Sequence, residues 1–288
     1  MGLDQVLQTI LFCLVLGSYY TLIASGFTLV FGISRIFNFA HGELYMFGGF
    51  FLYYLIGMWS VNYFVALIVC GLAVGVMGVV LERLFYRPVR THINATFMVA
   101  VGLLLIMSNL ALVLFGPLIK KVPSPFAGSI RVSPTVSLSW ERVAVIVGCA
   151  IVMSALHLFI NHTRQGVALR AVAQDPDTAA LMGMSVDRFR ALAFFAGSFL
   201  AGVAAAIVIP VFYVDPFVGG NVMLRAMVVV ILGGLGSIPG AVAGGFALGF
   251  IDGLGLTFFG YPAYTLGWVI VIVLMLIRPM GLMGKELG

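Results

Sequence analysis

Long apolar runs alternate with short polar stretches along the whole chain. The runs cover about residues 5–33, 44–59, 61–81, 95–116, 143–161, 190–213, 222–236, 239–259 and 263–277. Roughly 20 apolar residues are needed to cross the hydrocarbon core, so most of these runs predict transmembrane helices. The runs 44–59 and 222–236 are short and predict helices that are tilted, broken or partly buried. Continuous runs, rather than alternating ten-residue segments, exclude a β-barrel. The expected fold is all-α: a polytopic α-helical membrane protein with about eight or nine transmembrane helices, broken or half helices among them, in one domain over residues 1–288.

One polar stretch, Arg164 to Arg190, stands out between two apolar runs and gathers Arg164, Arg170, Asp175, Asp177, Asp187, Arg188 and Arg190. Within it, AQDPDTAALMG predicts a short helix with both ends marked. Asp175 suits the N-cap and Pro176 the first helical position. Asp177 adds negative charge near the positive end of the helix dipole, and Gly183 suits the left-handed C′ position. A helix of about seven residues is roughly 10 Å long, too short to cross a bilayer and marginal alone in water. It needs something to dock on, with the apolar Ala179, Ala180, Leu181 and Met182 as the expected contact face and the aspartates as caps.

Basic residues in short loops set the orientation. Arg83, Arg87 and Arg90, the stretch at about 162–190, and Arg278 with Lys285 all read as cytoplasmic. The loop at about 117–142 is then external, although it carries Lys120, Lys121, Arg131 and Arg142 beside Pro117, Pro123, Pro125 and Pro134. With nine crossings the N-terminus is external; with eight it is internal.

Composition agrees with a membrane protein. Hydrophobic residues make up 62% and charged residues only 9%, with a mean hydropathy of +1.17, whereas soluble domains are about a quarter charged. The 35 glycines exceed the ordinary share of about 7%, as close helix packing in lipid favours. The net charge of +5 fits cytoplasmic loops facing anionic lipid; no basic patch interleaved with aromatics points to nucleic acid. Cys13, Cys70 and Cys149 lie inside apolar runs, where disulfides and metal ligation are not expected. No cleavable signal peptide is evident, because the first run is long and lacks a basic leader.

Two glycine-rich interruptions suggest half helices: Phe31 through Gly42, which overlaps the polar knot SRIFNFAHGE at 34–43, and LGGLGSIPG at 232–240. Each is either a tight turn or irregular backbone of the kind transporters place around a binding path, and their presence in both halves hints at an internal repeat. Asn38, His41, Gly42 and Glu43 in the first, and Gly236 and Ser237 in the second, are the pathway candidates. Asp252, inside an apolar run, either lines the same path or pairs with a neighbouring helix. Arg225 is expected near the outer interface, snorkelling. No phosphate-binding G-x-x-x-x-G-K-[ST] motif occurs, so the chain is not expected to hydrolyse ATP itself; H-E-x-x-H and G-x-S-x-G are also missing.

Four stretches, ASGFTLVFGISRIFNFAHGELYMFGG, GVALRAVAQDPDTAALMGMSVDRFRALAFFAGSFLAGVAAA, LGGLGSIPGAVAGG and RPMGLMG, follow in the family order of the permease subunits of branched-chain (hydrophobic) amino acid ABC importers. The chain resembles that family, and its NFAHGE element looks like the shorter, first-permease partner. The resemblance implies a permease in the bacterial plasma membrane, paired with a second permease chain. Two cytoplasmic ATPases that bind ATP and Mg would work the pair, and an external substrate-binding protein would feed it. It places Asp175, Pro176, Asp177, Ala179, Ala180, Leu181 and Gly183 in the loop that couples to the ATPase. It also places Asn38, His41, Gly42 and Glu43 in the signature near the pathway. Urea or short amides are the alternative substrates within the family. A stand-alone secondary carrier or channel is the rival from another class, though it leaves the capped helix without a task.

Overall fold

The computed structural model describes residues 3–260 except 127, 132, 134 and 135, together with 268–270, 272, 273, 276 and 281–283. The expected crossing at 263–277 lies largely outside the described residues, as do Pro134, Arg278 and Lys285. Each earlier apolar run forms one helix. These are α1 (Leu3–Ser34), α2 (His41–Gly57), α3 (Tyr63–Leu81), α5 (Ile93–Phe115), α6 (Trp140–His162), α9 (Val186–Val208), α10 (Val218–Gly233) and α11 (Ile238–Phe259). Among the described residues, six helices are long and apolar enough to cross a membrane; α2 and α10, at 17 and 16 residues, fall short.

Between α3 and α5 the helix widens into a π-turn, Glu82–Tyr86, and tightens again as α4 (Arg87–Val89). Between α5 and α6 runs a two-stranded antiparallel ribbon, β1 (Ser129–Arg131) with β2 (Ser137–Ser139). The polar stretch after α6 holds α7 (Arg164–Gln174) and α8 (Pro176–Leu181). The sequence marked α8; it did not separate α7.

α1 and α11 are antiparallel and packed along most of their length. Gly245, Gly249 and Gly253 form a stripe on α11 that lets the two backbones touch: a methyl group on Gly249 would lie 2.3 Å from the Gly17 nitrogen, and one on Gly253 would lie 2.5 Å from the Cys13 sulfur. Leu29 and Ile33, near the end of α1, share a buried cluster with Leu169 and Val172 of α7, so the start of α1 lies at the end of the molecule opposite the loop 162–190.

The basic clusters sort by end as well. Arg87 and Arg90 pair with Asp187 at the end carrying α7 and α8. Lys120 sits at the other end. Its backbone pairs with Val214, its ammonium donates to the Tyr54 hydroxyl at 2.7 Å, and it lies 4.7 Å from the Tyr54 ring centre. A lysine held over aromatic rings in this way explains one basic residue that ran against the loop-charge rule.

α2 is the central element. Every residue from His41 to Phe50 is buried, and α9, α3 and α10 surround it. Its start is set back inside the bundle: the His41 ring lies 2.9 Å from where a methyl group on Gly26 would sit, and Gly26 precedes the end of α1 by eight residues, about 12 Å. The chain leaves α1 through Arg35, whose φ of 55° breaks the helix, and climbs back before α2 begins. The segment 209–217 does the same in the opposite sense. It returns from the end of α9 so that Gly219, at the start of α10, meets Gly42 and Glu43. A full helix, a return and a half helix thus occur twice, once in each orientation, with the half-helix N-termini facing each other. The mate of the first interruption is this return at 209–217, not LGGLGSIPG. The latter is a tight turn between α10 and α11, with Gly234 and Gly236 at φ 106° and 79°.

Candidate functional site

The meeting point of α2 and α10 gathers charge and polarity that the apolar surroundings do not satisfy. Asn38, His41 and Glu43 are all fully buried. Among the described residues, both His41 ring nitrogens, both Glu43 carboxyl oxygens and the Asn38 amide nitrogen lack a hydrogen-bond partner. The Ser108 hydroxyl of α5 faces Glu43 but donates to the Leu104 carbonyl instead. Glu43 belongs to the first turn of α2, and its carboxyl packs on Gly219 in the first turn of α10. Glu43 therefore lies in the first turn of one half helix and against the first turn of the other, near two positive dipole ends. Buried polar groups left unpaired in a membrane are costly, so this cluster stands apart from the apolar packing around it.

Asn38 is held from one side. Tyr86, buried on the π-turn, donates to the Asn38 side-chain oxygen at 2.8 Å, and the Asn38 carbonyl accepts the His41 N–H at 3.1 Å. Ser18, Thr21, Ser25 and Thr28 form a fully buried hydroxyl stripe on α1; the hydroxyls of Ser18, Thr21 and Thr28 are unpartnered among the described residues. The spacing i, i+3, i+7, i+10 within an apolar run was a legible signal for this stripe. Nothing local marked Tyr86.

The other pathway candidates lie elsewhere. Gly236 and Ser237 sit in the α10–α11 turn, a whole half helix away from Gly219. There Gly236 packs on Gly32 of α1, and the Ser237 hydroxyl accepts the Gly240 N–H at 3.1 Å as the N-cap of α11. Main-chain amides of Leu282 and Met283 cap the Leu232 and Gly233 carbonyls at the same end, which accounts for part of the RPMGLMG stretch. Asp252 forms a cluster of its own. It pairs with Arg225 at 2.8 Å and accepts from the Tyr20 hydroxyl at 2.7 Å. The expectation that Arg225 snorkels at the outer interface is corrected: its guanidinium turns inward to the buried carboxylate, since an ion pair offsets desolvation where an isolated charge could not.

α8 forms as its end signals require. The Asp175 carboxylate accepts from the Asp177 and Thr178 N–H groups, both at 3.0 Å, and from the Thr178 hydroxyl. These donors, led by the Thr178 hydroxyl, hold the Asp175 carboxyl below its ordinary range. At the other end the Gly183 N–H reaches the Ala180 carbonyl and the Met184 N–H reaches the Ala179 carbonyl, a Schellman closure around Gly183 at φ 83°. Ala179, expected on the docking face, is instead buried in the chain's own cluster with Leu169 and Val172 of α7. A one-turn helix needs such an anchor. The apolar side chains left outward are Ala180, Leu181 and Met182, the last two 88% and 80% exposed.

Comparison with known proteins bears on both features. The family model described as the permease component of branched-chain amino acid transport systems matches residues 9–278. The chain belongs to this family. It is 32% identical over 286 residues to the high-affinity branched-chain amino acid transport system permease protein LivH of Escherichia coli K12, covering 94% of this chain and 92% of the relative. It is 31% identical over 294 residues to the corresponding BraD of Pseudomonas aeruginosa, covering 97% and 96%. A probable LivH of Methanocaldococcus jannaschii is 24% identical over 308 residues. No solved structure matches the chain. The match to this permease family spans both the α2–α10 junction and α8, so both features lie within the family's common extent.

Proposed function

We propose that the chain is the membrane-spanning subunit of an ATP-driven importer of branched-chain or other hydrophobic amino acids in a bacterial plasma membrane. The family match over almost the whole chain carries this reading, and the geometry gives it a mechanism. A second, homologous permease completes the path, two cytoplasmic ATPases bind ATP and Mg, and an external binding protein delivers the substrate.

The ATPases dock on α8. Capped at both ends and anchored through Ala179, this helix moves as a rigid piece and does not absorb the displacement. Nucleotide-driven closure shifts it and rocks the helices it touches, so the path opens alternately to either side. The junction of α2 and α10 is the gate in that cycle. As built, Gly42 and Gly219 are in backbone contact and the Glu43 and His41 side chains are sealed. Separation of the two half helices exposes them to the path, where they face the ammonium and carboxylate of an amino acid.

Purification of the tagged chain from its own membranes tests the reading. Co-purification of an ATP-binding subunit and leucine-inhibited uptake are expected. Uptake that persists with every candidate ATPase deleted would leave a stand-alone carrier, and competition by urea but not leucine would move the substrate to short amides.

A further inference from the structure

Three groups link α8 to the gate without belonging to either. Four residues beyond Gly183, in the first turn of α9, the Asp187 carboxylate holds Arg87 through one oxygen and Arg90 through the other, each at 2.5 Å. Arg87 follows the π-turn Glu82–Tyr86 directly and Arg90 closes α4 three residues later, and Ala180, Met184, Asp187, Glu82 and Arg87 line one groove of about 460 Å³ between α8 and that turn. At the far side of the π-turn stands Tyr86, whose ring packs 5.3 Å from Phe194 of α9 and whose hydroxyl donates to Asn38. Asn38 in turn receives the first N–H of α2. The contacts are continuous from α8 to His41.

We propose that Asp187, the Arg87–Arg90 pair and Tyr86 form a relay that passes the displacement of α8 to the start of α2. This rests on the importer reading above. Asp187 is fixed to the C-terminal closure of α8 by a short link, so a shift of α8 draws on the two guanidiniums. A two-oxygen, two-arginine clamp resists rotation as well as separation, which a single pair does not. The force then falls on a π-turn, where the Arg87 N–H bonds five residues back to the Glu82 carbonyl. A helix with one residue too many in a turn can slide that residue along its axis at low cost, and such turns recur at working sites. Tyr86 is the residue whose position such a slide changes, and its hydroxyl is bonded to the segment that begins α2. These residues touch no substrate; they position the gate.

Tyr86→Phe keeps the ring in place and deletes the Asn38 bond, and Asp187→Asn weakens the clamp at the opposite end. The test uses the full complex in proteoliposomes, with backbone hydrogen exchange followed at 176–184 and at 35–43, with and without a non-hydrolysable ATP analogue. In the wild type both segments should respond to nucleotide. In Tyr86→Phe and in Asp187→Asn the response at 176–184 should persist, while that at 35–43 falls at least threefold. Stimulation of ATP hydrolysis by the loaded binding protein should fall by a similar factor, with basal hydrolysis intact. A full response at 35–43 in both variants overturns the relay and leaves the importer reading standing. A wild type whose 176–184 segment ignores nucleotide overturns both.

Discussion

Gly42 and Gly219 stand backbone to backbone: a methyl group on Gly42 would lie 2.0 Å from the Gly219 carbonyl oxygen. Gly42 has no room to retreat, because every residue from His41 to Phe50 of α2 is buried, and Gly219 is itself buried. Gly42→Ala therefore forces the two half helices apart. In the importer reading this props the gate and uncouples it. Uptake should drop at least tenfold while ATP hydrolysis without substrate rises or holds, measured side by side in proteoliposomes. Wild-type uptake in the variant would remove the junction from the path.

The cap of α8 has a predicted pH signature. Because the folded carboxyl of Asp175 is held below the ordinary value, its capping is complete above the unfolded value of about 4 and is lost as pH falls through the depressed folded value. At neutral pH the cap is fully formed. Asp175→Ala should lower transport coupling at neutral pH, whereas Asp175→Asn, also a good N-cap, should restore it and remove the acid sensitivity. Equal losses in the two variants would mean that the charge, not the cap, does the work.

Gly183 offers a second, independent handle on the same helix. Its φ of 83° costs a residue with a β-carbon about 1–2 kcal/mol. Gly183→Ala should loosen the Schellman closure and reduce substrate-stimulated ATP hydrolysis several-fold. Gly183→Asn, which tolerates this conformation better, should fall between it and the wild type. The order Gly, Asn, Ala is the result to look for.

How far the sequence alone discloses this molecule depends on the reach of each signal. α8 is legible because its caps lie within nine residues, and every apolar run up to residue 259 forms its helix because a lipid span is a matter of length and hydropathy. The return at 209–217 is not legible, since nothing in those residues says that α9 will be followed by a descent beside α2. Nor is the partner of Asp252, for Tyr20 is 232 positions away and Arg225 carries the ordinary mark of a snorkelling residue. The turn LGGLGSIPG has the glycine and proline content of a broken helix, yet that content serves a tight corner equally well. Asn38 shows the same limit: its place in a polar interruption is visible, while its hydrogen bond to Tyr86 exists only once α3 has packed beside it.

The Asp252 cluster separates structure from transport. Breaking a buried ion pair by removing one member costs about 3–5 kcal/mol. Asp252→Asn should therefore lower the unfolding temperature of the purified protein markedly. Adding Arg225→Met should recover much of it. If the cluster is architectural, as its three-way pairing indicates, the double variant also recovers uptake. A stable double variant without uptake would return Asp252 to the pathway.

The docking of an ATPase on α8 is the claim on which the rest depends. A photoreactive residue at position 181, beside Met182 on the exposed tip, tests it in intact membranes; Trp59, 70% exposed at the opposite end of the molecule, is the control position. The account predicts one major adduct from position 181, to an ATP-binding subunit, and none to that subunit from position 59. No adduct from 181, in membranes where uptake is active, would contradict it.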